Sequence, residues 1–151
     1  MSARGIHPGA HAEGSLQDSD QAQIDALIAA FFAAFDNRKG RTPDPDRLAR
    51  MFADHAVVAM HQGTGCVIYT PEAFIAPRVS LLESGELVEF HEWEDTATTQ
   101  VLGSVAVRTS RYAKSGARNG DSFTGAGTKF FQLARMTCGW RIVALSWIDD
   151  A

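Results

Sequence analysis

The stretch Gly127-Thr-Lys-Phe-Phe-Gln-Leu-Ala-Arg-Met-Thr-Cys-Gly-Trp-Arg-Ile-Val-Ala-Leu-Ser-Trp-Ile-Asp-Asp150 decides the fold. Two runs rich in β-branched and aromatic residues flank Thr137-Cys138-Gly139, which predicts a long antiparallel hairpin closed by a tight turn. Both runs are apolar at both parities, with Phe130 next to Phe131 and with Ile142, Val143 and Leu145. Both faces of such a hairpin are expected to be covered, one by helices of the same chain and the other by a second subunit.

Upstream, Ile24, Leu27, Ile28, Phe31, Phe32 and Phe35 recur at helical spacing, and Asp18 with Gln21 forms a capping pair at the expected helix start. Residues 1–17 have no apolar run and read as a flexible tail, with His7 and His11 solvated. The basic cluster Asn37-Arg38-Lys39-Gly40-Arg41 reads as a solvated loop. Asp44 and Pro45 predict a second, short helix that turns Leu48, Met51 and Phe52 inward. A strand over 56–61 and its return over 66–69 come next, joined by Gln62-Gly63-Thr64-Gly65. Thr70-Pro71-Glu72 then opens a helix that runs to about Ser84 and is kinked at Pro77, with Gly85 as its stop. Four strand-like runs complete the chain, at 87–95, 98–112, 122–136 and 140–148, and Gly125 and Gly127 suggest a bulge or bend in the third. Helices segregated from a mainly antiparallel sheet make an α+β domain, expected as a single unit over 18–151.

The chain has 151 residues, 45% hydrophobic and 21% charged, which suffices for a real core. A net charge of −4 with scattered Lys and Arg argues against a nucleic-acid partner. No window has the length and apolarity of a membrane span, so no membrane partner is expected. Cys66 and Cys138 lie far apart without metal-ligand spacing, which reads as two reduced thiols in a cytoplasmic protein.

Phe52-Ala53-Asp54-His55-Ala56-Val57-Val58 resembles the helix-to-strand junction of the nuclear transport factor 2-like superfamily. The closing segment, Lys129 to Arg135 with Gly139-Trp140-Arg141-Ile142, is similar to that superfamily's last hairpin, and the likeness extends over 18–150. The nearest relatives it suggests are uncharacterised proteins akin to SnoaL-like polyketide cyclases. The resemblance implies a cone-shaped, strongly curved sheet wrapped around the long N-terminal helix. It also implies an apolar pocket at the open end and a homodimer through the outer face of the C-terminal strands. The ketosteroid-isomerase chemistry of the superfamily is missing: its general-base aspartate falls at Met60, its tyrosine at Phe31 and its oxyanion-stabilising acid near Gln132. An Arg-x-Asp strand pair of the limonene-epoxide hydrolase kind is absent as well.

The run Leu87 to Asp95 holds the densest polar chemistry. Strand alternation puts Glu89, His91, Trp93 and Asp95 on one face and Val88, Phe90, Glu92 and Glu94 on the other. A histidine flanked by carboxylates can serve as a general acid or base, which makes His91 and Asp95 candidate catalytic residues; the alternative is a surface ladder with Trp93 as a dimer contact. His61 is a third candidate, because strand ends face the expected pocket mouth, and a His61/His91 dyad would resemble that of scytalone dehydratase. No third ligand stands at metal-like spacing, so neither a metal nor a cofactor is expected. Phe31, Phe35, Met60, Tyr69, Trp93 and Trp147 are the expected pocket residues, while Lys129 is expected to pair with Glu89 or Asp149 across the sheet. Arg108, Arg111 and Arg135 invite the same structural explanation. The reading that follows is a binder of a small apolar molecule, with cofactor-free lyase, isomerase or cyclase chemistry. Its alternative is a non-catalytic dimeric binding or association module.

Overall fold

The computed structural model describes residues 9–151. The expected tail at 1–17 lies partly outside them, and His7 wholly so. Helix α1 (Gly9–Ala33) starts well before Asp18, so Asp18 and Gln21 lie inside it and form no cap. Gln21 instead donates to Asp25 one turn on, at 2.9 Å. Helix α2 (Pro45–Arg50) starts as expected, with the Asp44 carboxylate accepting from the Asp46 and Arg47 amides. Helix α3 (Pro71–Glu83) is capped by Thr70, whose hydroxyl accepts from the Ala73 amide at 3.2 Å, and it continues through Pro77.

Six strands follow the expected sequence order. They are β1 (Phe52–Gln62), β2 (Gly65–Tyr69), β3 (Leu87–Leu102), β4 (Val105–Arg118), β5 (Asp121–Met136) and β6 (Gly139–Asp149). They form one sheet in the order β2-β1-β6-β5-β4-β3, antiparallel throughout except for the β1–β6 pair. The expected break near residues 96–97 is corrected. β3 runs on to Leu102 and turns at Gly103, which adopts a φ of +58°, so the run 98–112 straddles a hairpin. The bulge expected at Gly125 and Gly127 is corrected too, because β4 and β5 stay in register from Val105–Ala134 to Arg118–Asp121. The shifts fall in β3, between Val88 and His91 and between Glu94 and Thr96, in the β5–β6 pair between Gln132 and Leu133, and in the β1–β6 pair between Phe52 and Val57.

The sheet is α+β as expected, but it is neither closed nor strongly curled, which corrects the strongly curved cone. Its edges β2 and β3 do not pair, and the uninterrupted β4–β5 ladder lacks the bulges that would bend it. Helices α1 and α3 cover one face. There Phe31 meets Phe32, Phe35, Phe52 and Phe131, each in an edge-to-face contact of 5.3 to 6.4 Å between centroids. Two buried polar anchors dock α1 onto the strands. Asp20 accepts from Arg135 and from the Trp140 indole. Arg108, 6% exposed, is held by Glu94, Asp25 and Thr99. Arg108 and Arg135 are therefore structural, as is the exposed Arg111, which pairs with Asp150.

The basic loop after α1 is not simply solvated. Asp36 pairs with both Arg38 and Arg41, and the Arg38 guanidinium holds its carboxyl well below the usual range, against the opposing effect of burial. Asn37 binds the Leu82 and Leu87 carbonyls through its amide group and accepts from the Phe90 amide at 2.8 Å. It thereby ties the end of α1 to α3 and to the first shift in β3.

Candidate functional site

Strand register sets the polar residues of the helix-covered face in rows. One row is Ser110, Lys129, Trp147 and Met60, from β4 across to β1. The next is Glu94, Tyr112, Gly127 and Asp149, and beyond it come Glu92, Lys114 and Gly125. α3 and the C-terminal end of α1 lie above these rows, and between them is a cavity of about 530 Å³, within the range of small-molecule sites. Phe31, Phe35, Phe74, Leu82, Phe90 and Trp147 give it apolar walls. Glu92, Lys129, Lys114 and Asp149 supply its polar floor, with Arg78 from α3 and Arg118 at the end of β4.

Lys129 stands 3.0 Å from Glu92, and both side chains are nearly buried, at 8% and 12% exposure. The ammonium also lies 4.1 Å from the Tyr112 ring centroid and 4.8 Å from that of Trp147. Burial pushes the Lys129 ammonium below its ordinary pKa, and the Glu92 carboxylate opposes that shift. The ammonium is the one cation within reach of Glu92 Oε1 among the described residues, so the two charges neutralise each other inside the cavity. Tyr112 donates to Asp149, and Lys114 reaches the other Asp149 oxygen at 3.0 Å. Burial raises the Tyr112 phenol far above its ordinary value, and the Asp149 hydrogen bond adds to this. For Asp149 burial works upward, but the Tyr112 and Lys114 hydrogen bonds outweigh it and hold the carboxyl low. Gly127 permits the arrangement, because a Cβ there would collide with the Tyr112 hydroxyl.

The expected site residues divide. Phe31, Phe35, Met60 and Trp147 line the cavity. Tyr69 packs against the core without lining it. His61, His91, Trp93 and Asp95 lie away from it. His61 is exposed at the end of β1, on the parity opposite to Met60. His91 stacks on Trp93 at 4.5 Å on the face opposite to Phe90 and Glu92, and Trp93 is 40% exposed. Asp95 is the extra residue at the second shift in β3. β6, β5 and β4 separate His61 from His91, a span of roughly 19 Å at the usual strand spacing, so no dyad forms. Among the described residues no group of three His, Cys, Asp or Glu side chains is placed to hold a metal, and both cysteines are free and exposed.

Sequence reasoning passed over Glu92, Lys114, Arg78 and the Tyr112–Asp149 pair as site residues. Phe90 was the available signal: a large apolar residue on the parity of Glu92 and Glu94 marks that parity as the buried one. Lys129 stands out as a charge in an apolar strand, and its partner is Glu92 rather than the expected Glu89 or Asp149.

No protein-family model matches the chain, and no curated protein matches it in sequence. Solved structures do. An NTF2-like protein with a cystatin-like fold from Novosphingobium aromaticivorans is 18% identical with a TM-score of 0.70, over 96% of this chain and 92% of that one. A candidate aromatic ring hydroxylase from the same organism is 15% identical with a TM-score of 0.69, over 88% and 90% of the two chains. A candidate calcium/calmodulin-dependent kinase II association domain from Exiguobacterium sibiricum is 10% identical with a TM-score of 0.67, over 97% and 98%. Names as different as these share one architecture, so the likeness speaks for the fold and not for the activity.

Proposed function

We propose, for a chain with the nuclear transport factor 2-like fold, that the cavity between α3 and the sheet binds a small, largely apolar molecule. The observation that carries this is the buried Lys129–Glu92 pair at the floor of an aromatic-walled cavity. A core built only for stability would fill that space with apolar side chains, since a buried ion pair adds little stability of its own. The pair also supports cofactor-free proton transfer of the lyase or isomerase kind. Glu92 would take a proton from a carbon next to a carbonyl, and the Lys129 ammonium would stabilise the enolate that forms.

This reading replaces His61, His91 and Asp95 with Glu92 and Lys129 as the acid–base residues. Native mass spectrometry of freshly purified protein, before and after exposure to a mixture of small apolar acids and ketones, tests it. A mass increment that denaturation releases is the expected result. A chain that never carries an added mass would contradict the reading.

A second reading concerns assembly and rests on the other face of the sheet. There Val107, Phe130, Ile148 and Val57 are between 43% and 51% exposed, and among the described residues no helix covers them. Two copies meeting through this face would bury them, which supports the homodimer through the C-terminal strands.

A further inference from the structure

Arg78 is the cation that the cavity leaves unneutralised. Its guanidinium sits 4.3 Å from the Phe74 ring centroid and 5.3 Å from that of Trp147. Of its five N–H donors, one reaches the Phe74 carbonyl at 3.0 Å and another the Met60 sulfur at 3.6 Å. The other three cations of the cavity each have a carboxylate within 4 Å: Lys129 has Glu92, Lys114 has Asp149 and Arg118 has Glu86. Among the described residues Arg78 has none. Burial lowers the Arg78 guanidinium from its ordinary value, and Tyr69, Glu92 and Asp149, none of them within ion-pair distance, oppose that shift only in part.

On the reading of the cavity as a small-molecule site, we infer that its ligand carries a carboxylate that docks on Arg78, with its apolar body against Phe35, Leu82 and Phe90. One unpaired cation calls for one negative charge. A planar, two-oxygen group matches the free edge of a guanidinium in a way that an ammonium or a neutral carbonyl cannot. A phosphate dianion would bring a second charge, and the remaining cations already have partners.

Calorimetric titration of the full chain with 2-naphthoate and with its neutral isostere 2-naphthamide separates the possibilities. The wild-type protein is expected to bind the acid roughly tenfold or more tightly than the amide, the usual worth of a charge-assisted hydrogen bond. Arg78→Met, which keeps the packing on Phe74, is expected to bind the two equally. Arg78→Lys, which keeps the charge without the fork, should retain only part of the preference. Equal affinities in the wild type overturn the carboxylate assignment and leave the small-molecule site standing. A preference that survives in Arg78→Met also overturns it. Binding of neither compound removes the site and the assignment together. The wild-type comparison and the lysine variant keep the test decisive should the methionine variant fold poorly.

Discussion

Lys129 is 6% exposed, and its ammonium faces Glu92, Tyr112 and Trp147. Removing one partner of such a pair leaves the other as an uncompensated buried charge. Lys129→Met is therefore expected to lower unfolding stability by about 3–5 kcal/mol, whereas Lys129→Met combined with Glu92→Leu should cost far less. Urea unfolding of the single and double variants measures the difference. A double variant as unstable as the single one would show that the two residues do not act as a pair. At this scale the sequence was partly readable. A lysine between Thr128 and Phe130 stands out, but only strand register brings it to Glu92, three strand positions beyond the expected Glu89. The histidines suit proton transfer by their ordinary pKa, yet Phe90 sets the face of His91 and Met60 that of His61, and neither histidine faces the cavity. Chemistry was legible, and orientation was not.

Among the elements, the caps and turns were the most legible, because each depends on a few adjacent residues. Asp44, Thr70 and Gly85 start or stop helices where their side chains or backbone freedom require it. The β3–β4 hairpin was missed because β-branched residues run almost unbroken across it and only Gly103-Ser104 marks the turn. The first shift in β3 was equally hidden, since Glu89, with a φ of +48°, lies between Leu87 and Phe90, which a distant segment holds. Asn37 makes these contacts. Its replacement by Ala would leave the Phe90 amide and the Leu87 carbonyl without their side-chain partner, at a cost of about 2 kcal/mol. Hydrogen exchange should then speed up at Phe90 well above the change at β5 amides. Unchanged protection there would mean that the first shift in β3 holds without Asn37.

For the whole molecule, hydrophobic periodicity and turn chemistry made the α+β class legible, and the resemblance at Phe52–Val58 and in the closing hairpin supplied the architecture. The curl of the sheet was not legible, since bending depends on where bulges fall, and those fall in β3 and in the β1–β6 and β5–β6 pairs rather than at Gly125 or Gly127. The two apolar faces of the C-terminal hairpin have different surroundings: one packs under α1, and the other exposes Phe130 and Ile148. The second reading predicts that the wild type sediments as a dimer at micromolar concentration. It also predicts that Phe130→Glu with Val107→Lys yields a folded monomer, and a wild-type monomer would contradict it.

The central claim is that the cavity floor at Glu92 and Lys129 is the place where a small molecule binds. Chemical-shift mapping of the isotopically labelled protein with a mixture of small aromatic acids and amides tests it most directly. The account predicts that the perturbed resonances cluster at Phe35, Arg78, Phe90, Lys129 and Trp147. Perturbations confined to the opposite face, around His91, Val107 and Phe130, would contradict it.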